Sequence, residues 1–289
     1  MICRFGYFNI LTFLLFSCNC LLLWGENYDL HTKIKEYIQP KTYQTNAKFI
    51  QKLFKNESAF YKNGNVDVIK ILNNLKNNGL LALKLNKPSN IKISFRVNEK
   101  NRTDFEPSFI FLAYATSNLL TNMGYSYFYV TNAKKNNDVI SVSYTLNSES
   151  QIDPTVIISN IQSRGYNVID VSKDSELHWI YDIRLEQPKI TNAQQIKDGE
   201  IELNQVSGKY WIIVDSAGIL EIMLNNEEKW NPKILIFDNN MNLLNAIMQK
   251  EMKQKQVINT NSNILFLMIT DNYNPARLSN GIKIIFNPK

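Results

Sequence analysis

Few residues in this chain could do chemistry. It holds two histidines, His31 and His178, and three cysteines, Cys3, Cys18 and Cys20, in 289 residues. His31 falls in a stretch of helical period and His178 inside a strand beside Trp179. Neither has a second histidine at metal-ligand spacing or a patterned carboxylate close in sequence, so both read as surface or satisfied core imidazoles. A serine nucleophile lacks its usual Gly-x-Ser-x-Gly turn, and Ser216-Ala217-Gly218 reads as a hairpin turn. No glycine-rich phosphate cradle occurs, with only ten glycines in the chain. A hydrolase built on two carboxylates is compatible with the sequence, because such a pair can meet from any two places, but nothing picks a pair out.

Three groups of residues could bind rather than react. Asp215, Asp238 and Asp271 each stand at a strand end, and with neighbouring Asn239, Asn240 or Asn272 they would offer oxygen ligands to calcium. Turn chemistry explains Asp and Asn there without a metal, so calcium is the one cofactor left open and none is expected. Trp230, Tyr273 and Asn274 are the sugar-binding candidates, pairing flat apolar rings with an amide that both donates and accepts. Glu99-Lys100-Asn101-Arg102-Thr103 fits the glycosylation acceptor, including its stricter bacterial form with an acid two positions earlier. Asn101 is therefore the expected attachment site. Asn56-Glu57-Ser58 fits only the general form.

Composition narrows the class. Apolar residues make up 44%, with 32 Lys and Arg against 26 Asp and Glu. That excludes a collagen, a disulfide miniprotein and an acidic disordered chain, and it leaves room for two ordinary cores. The 39 asparagines fall between apolar runs and read as turns. The densest basic run, 250–255, is broken by Gln and Met and has no aromatic platform, so no nucleic-acid partner is expected.

The amino terminus carries the clearest address. Arg4 precedes an apolar stretch over 8–23, then Gly25 and Glu26 open polar sequence, the order of a secretory signal peptide spanning 1–25. Later segments are too short to span a bilayer, so no membrane span is expected after cleavage. Cleavage near Gly25 removes all three cysteines. An uncleaved anchor and a lipid anchor at Cys18, from Leu15-Phe16-Ser17-Cys18, are the weaker alternatives; Leu21 to Trp24 would be apolar where a lipoprotein tether is polar.

The elements that must position any site follow in order. Leu30, Ile34, Tyr37 and Ile38 keep helical spacing until Pro40. Phe49, Ile50, Leu53 and Phe54 make a second stripe, and Val68, Ile69, Leu72 and Leu75 a third that ends at Gly79. Residues 26–86 thus predict a helical hairpin. Ile91, Ile93, Phe95 and Val97 then alternate as a strand; a helix runs from Pro107 to Met123; two strands form a hairpin through 134–138; Asp153-Pro154 caps a second helix closed by Gly165; and two strands follow. That order over 87–187 predicts a ferredoxin-like βαββαβ domain with one extra strand. Tyr127, Tyr129, Tyr144 and Trp179 are placed on its helix-free face, a surface expected to pack against a neighbour. Residues 188–198 read as a linker, and eight short strands over 199–289 predict an all-β jelly roll or sandwich. The fold class is therefore α+β. Trp211, among Ile and Val in mid-strand, reads as core.

Residues from about 200 to 289 resemble the bacterial pre-peptidase C-terminal jelly-roll domain. The matching order is Lys209-Tyr210-Trp211-Ile212-Ile213-Val214, then Ile219-Leu220-Glu221-Ile222, then Lys233-Ile234-Leu235-Ile236-Phe237-Asp238, and a closing Gly281-Ile282-Lys283-Ile284. The turn at Asn239-Asn240-Met241-Asn242 lacks the family's glycine, and Asn231-Pro232-Lys233 replaces its acidic residue. The two-domain combination also looks like uncharacterised periplasmic proteins of Campylobacter-type bacteria. The resemblance implies a periplasmic location and a noncatalytic scaffold or adaptor in the cell envelope, with other envelope proteins as partners and a flagellar-motor or secretion assembly as client. The alternative is a glycan- or peptidoglycan-binding module acting through the jelly roll on cell-surface glycan. The sequence does not settle the oligomeric state.

Overall fold

The computed structural model describes residues 29–98, 109–136, 139–263 and 265–289. The signal segment, its cysteines and Asn101 lie outside the described residues. Four helices open the described chain or lie close behind: α1 (Leu30–Tyr37), α2 (Pro40–Thr45), α3 (Ala47–Leu53) and α4 (Val68–Asn77), with a small hairpin of β1 (Tyr61–Lys62) and β2 (Asn65–Val66) before α4. The anticipated hairpin is thus a set of short helices. Asn46 ends α2 and precedes α3, and Asp67 caps α4 by accepting from the Lys70 N–H.

A five-stranded sheet follows, built from β3 (Lys84–Asn98), β4 (Phe128–Lys135), β5 (Val139–Ser150), β6 (Tyr166–Ser175) and β7 (His178–Leu185) in the order β4-β5-β3-β7-β6. The helices α5 (Phe109–Asn122) and α6 (Pro154–Gln162) connect it. The split arrangement places β5 antiparallel between β3 and β4. The extra strand, however, enters the sheet: β7 lies beside β3 and parallel to it, pushing β6 to the edge. The sheet is therefore mixed rather than antiparallel, since a hairpin entering after α6 must turn its second strand to run with β3.

Alternation in β3 sends Ile91, Ile93, Phe95 and Val97 to one face, where all four are buried. Tyr144 and Trp179 pair in register with Ile93 and share that face. Both rings are buried, Tyr144 bonded to Thr116 on α5 and Trp179 stacked on Tyr37 of α1. Only Tyr127 and Tyr129 of the four aromatics are exposed. The opening helices share this core, so they and the sheet form one unit. Gly165 closes α6 in the left-handed region at φ +88°, and a Cβ there would stand 1.6 Å from the Gln187 carbonyl oxygen. Glycine is required.

The remaining strands form a sandwich. β8 (Gln194–Ile196) falls inside the expected linker and pairs parallel with β10 (Tyr210–Val214). With β12 (Pro232–Phe237), β13 (Leu243–Met248) and β15 (Leu265–Asp271) they make the sheet β13-β12-β15-β10-β8. Opposite it stand β9 (Gly199–Leu203), β11 (Gly218–Leu224), β14 (Lys255–Thr260) and β16 (Ile282–Pro288), in the order β14-β11-β16-β9. Inward residues of both sheets, among them Tyr210, Ile212, Leu220, Ile234, Leu267 and Ile284, make a second core.

The outer face of the β13-β12-β15-β10-β8 sheet is apolar as well. Trp211, Ile213, Leu235, Phe237, Phe266 and Met268 all pack into the first core. Trp211 is therefore an interface residue, half-buried against Tyr114 of α5 and against Phe237, and not part of the sandwich interior.

Candidate functional site

The helix-free face of the five-stranded sheet collects the polar groups. Reading across the strands, Lys92, Thr145 and His178 form one row, Ser94, Ser143 and Ile180 the next, and Arg96, Ser141 and Asp182 the third. Small side chains at the centre let their neighbours close over them, and Ser94, Ser143 and Thr145 are buried.

The chain from Ser94 outward has the shape of an activated nucleophile. Ser94 Oγ lies 2.8 Å from His178 Nε2, and His178 Nδ1 lies 3.1 Å from Asp174 Oδ2. A second hydroxyl, Ser143 Oγ, stands 2.8 Å from Ser94 Oγ. Sequence reasoning missed this constellation because its members come from β3, β6 and β7, and only the parallel pairing of β3 with β7 brings His178 to Ser94. The spacing of Asp174 and His178 across a tight hairpin was the available signal. Nucleophile, base and orienting carboxylate are present, but acyl transfer also needs donors where an oxyanion develops. The main-chain N–H groups around Ser94 run in the plane of the sheet and are committed to β5 and β7. The relay fixes the imidazole and spans three strands.

Two carboxylates also meet on this face. Asp170 and Asp182 are register partners across β6 and β7. Each is taken by a cation: Lys33 Nζ reaches Asp170 at 2.8 Å, and Arg96 forks onto Asp182 at 2.7 and 2.6 Å. Burial pushes the Asp170 carboxyl above its ordinary range, against the opposing pull of Lys33. The hydrogen bond to Asp182 raises the Arg96 guanidinium. A carboxylate pair for hydrolysis needs one acid and one base around a substrate; here both face fixed cations. A shallow hollow of ≈ 450 Å³ lies elsewhere, between Gln162, Asn167, Glu186 and Lys189.

The three aspartates singled out from sequence each hold a different loop or turn, and only Asp271 meets other candidates, Tyr273 and Asn274. Asp215 accepts from the Gln195 side chain at 2.8 Å. Asp238 closes its own turn, taking the N–H groups of Asn240 and Asn242 at 2.9 and 2.7 Å. Asp271 is buried and holds three loop N–H groups, those of Asn231, Tyr273 and Asn274. Among the described residues no three His, Cys, Asp or Glu side chains gather as a metal cluster. Trp230 is 0% exposed, so it presents no ring to a sugar; the bridge to Lys253 ties its backbone under the sandwich. Tyr273 is 65% exposed. Asn274 uses its side-chain oxygen to cap the Ala276 N–H.

No family model and no curated protein matches this chain. Among solved structures, the pre-peptidase C-terminal domain of a collagenase from Bacillus anthracis is similar to it at 12% identity, covering 34% of this chain and 94% of that domain, with a TM-score of 0.22. The chain is mixed helix and sheet, and strands predominate. Among the described residues no helix is long and apolar enough to cross a membrane.

Proposed function

We propose that this protein is a noncatalytic, exported scaffold of the bacterial cell envelope, a ferredoxin-like unit and a jelly roll joined into one rigid body that presents surfaces to other envelope components. The observation that carries this reading is the use made of the sandwich's outer face. A jelly roll on a flexible tether needs one buried layer; this one spends a second apolar layer, around Trp211, Phe237 and Phe266, on fixing itself to α5. Rigid mutual orientation serves a part that must hold two surfaces at a set spacing, and the polar face is tied up in internal pairs. A flagellar motor or secretion assembly in the periplasm is the client this reading favours, by analogy alone. Crosslinking in intact cells followed by affinity capture tests it: one or more envelope proteins recovered reproducibly supports the scaffold, and a monomer captured with no partner overturns it.

The glycan-binding alternative now stands on Tyr273, since Trp230 is enclosed. Retention of the protein on purified cell-wall material, abolished in Tyr273→Ala, would favour it over the scaffold.

A further inference from the structure

The internal pairs of the helix-free face gather around β7, and its β4 side presents exposed aromatic rings instead. Phe128 packs edge-on against the buried Tyr144, which turns the next residue of the alternation, Tyr129, outward. Tyr129 is 59% exposed, and Tyr127, one residue ahead of β4, is 90% exposed. Tyr129 shares a row with Thr145 and Lys92. Thr145, between them, is buried, so the row has a low centre and two raised ends roughly 10 Å apart, two strand spacings. The next row on the Tyr127 side holds Asn147 and Asn90, where Asn147 Nδ2 donates to Asn90 Oδ1 at 3.0 Å. That bond leaves the Asn147 side-chain oxygen and the Asn90 amide nitrogen for a ligand, an acceptor beside a donor.

Charge on this side has one sign. The strands β3, β4 and β5 carry six Lys or Arg against one acid, Glu149. Arg96 is taken by Asp182. Lys92 and, two rows along, Lys134 have no carboxylate partner among the described residues. Flat rings, an open amide edge and unpaired ammonium groups are the contacts that suit a sugar ring bearing a negative charge. A nucleic-acid strand stacks on rings too, but it carries a charge at every nucleotide. The row between Lys92 and Lys134 offers Asn132 and Ser143, which match hydroxyls rather than phosphates.

We propose that the β4 side of this face binds an acidic polysaccharide, a polymer of uronate-type sugars lying along β4. Its rings stack on Tyr127 and Tyr129, its hydroxyls meet Asn147 and Asn90, and its carboxylates reach Lys92 and Lys134. The site lies on the other module from Tyr273 and on the opposite face of the sheet from α5, so it goes beyond the scaffold reading without disturbing the contact at Trp211.

Titration calorimetry of the purified full chain with hexagalacturonate, hexaguluronate, a hyaluronan oligomer and neutral maltohexaose tests this. At least one acidic oligomer binds, added salt weakens it, and maltohexaose does not bind. Tyr129→Ala lowers the affinity roughly 10-fold or more, Lys92→Gln lowers it and flattens the salt dependence, and Tyr273→Ala leaves it unchanged. If Tyr129→Ala fails to fold by circular dichroism, Tyr127→Ala, outside the strand, gives the same reading. A wild type that binds none of the acidic oligomers, or that binds maltohexaose as tightly, overturns the proposal. So does binding that survives the tyrosine substitution. Oligo(dT) held more tightly than any glycan, and lost in the same variants, would give the face to single-stranded nucleic acid and overturn it as well.

Discussion

Tyr114 on α5 and Trp211 on β10 meet with ring centroids 5.1 Å apart and planes at 55°. The helix that covers one sheet is thereby also the ground on which the other stands. Phe237 packs on the far side of Trp211 at 5.6 Å, so removing the indole opens the centre of the contact. Trp211→Ala is expected to cost about 3 kcal/mol, at the low end for an aromatic truncation because the ring is half-buried. The informative readout is cooperativity. Scanning calorimetry should show one transition in the wild type and two in the variant, as the sandwich melts apart from the helical unit; a single unsplit transition in Trp211→Ala would mean the modules are held elsewhere.

Gly165 makes a sharper case. Its left-handed backbone and the Gln187 carbonyl 1.6 Å from any added Cβ act together. Gly165→Ala is expected to destabilise by roughly 2–4 kcal/mol, measured by urea unfolding, whereas Gly124→Ala, at φ +90° with open space around it, should cost only about 1 kcal/mol. Equal losses would show that clash contributes nothing beyond backbone strain.

Local signals were readable from the sequence and non-local ones were not. Alternation marked Ile91 to Val97 as a strand, and Asp153-Pro154 marked a helix start, because period and capping are written within a few residues. Tyr144 and Trp179 were put on the wrong face: an aromatic's side of a sheet depends on register with strands dozens of residues away. Trp211 failed for a related reason. Its alternation with Tyr210 and Ile212 shows two apolar faces, which an isolated sandwich does not need and only a second module explains. The Ser94–His178 contact was invisible because it rests on a parallel pairing that the extra strand creates.

Asp153 should carry part of the acid sensitivity. Burial opposes its ionisation, but hydrogen bonds from Lys76 and Thr155 together outweigh that and hold the carboxyl below its ordinary value of 3.8. A carboxyl lowered in the folded state contributes stability that is fully present above the unfolded value and is lost as pH falls through the folded one. Asp153→Asn keeps a capping oxygen and loses the charge. The variant should be about 1 kcal/mol less stable at neutral pH, modest because Lys76 is partly exposed. The gap should close only below pH 3.8. A gap that persists at the acid limit would assign the loss to packing.

The relay on the polar face separates scaffold from enzyme. The main-chain N–H groups beside Ser94 are committed to the ladder, and the noncatalytic reading expects an unreactive Ser94. A fluorophosphonate probe should leave Ser94 unlabelled in the wild type, with mass spectrometry of the digest as the readout. Ser94→Ala should cost about 1 kcal/mol through the lost hydrogen bonds to His178 and Ser143. Labelling at Ser94 that disappears in His178→Ala would show a working nucleophile and overturn the noncatalytic reading.

Trp230 and Tyr273 divide structure from surface. Trp230 is wholly enclosed and Tyr273 stands out from the loop that Asp271 organises. Trp230→Ala should lose about 3–5 kcal/mol and shift the melting of the sandwich, because the enclosed indole is part of its core. Tyr273→Ala should stay within about 0.5 kcal/mol of the wild type. Since the second variant keeps its fold, it alone can report on glycan retention: unchanged behaviour on cell-wall material leaves the scaffold reading in place, and a specific loss there would move the function to the loop at Tyr273.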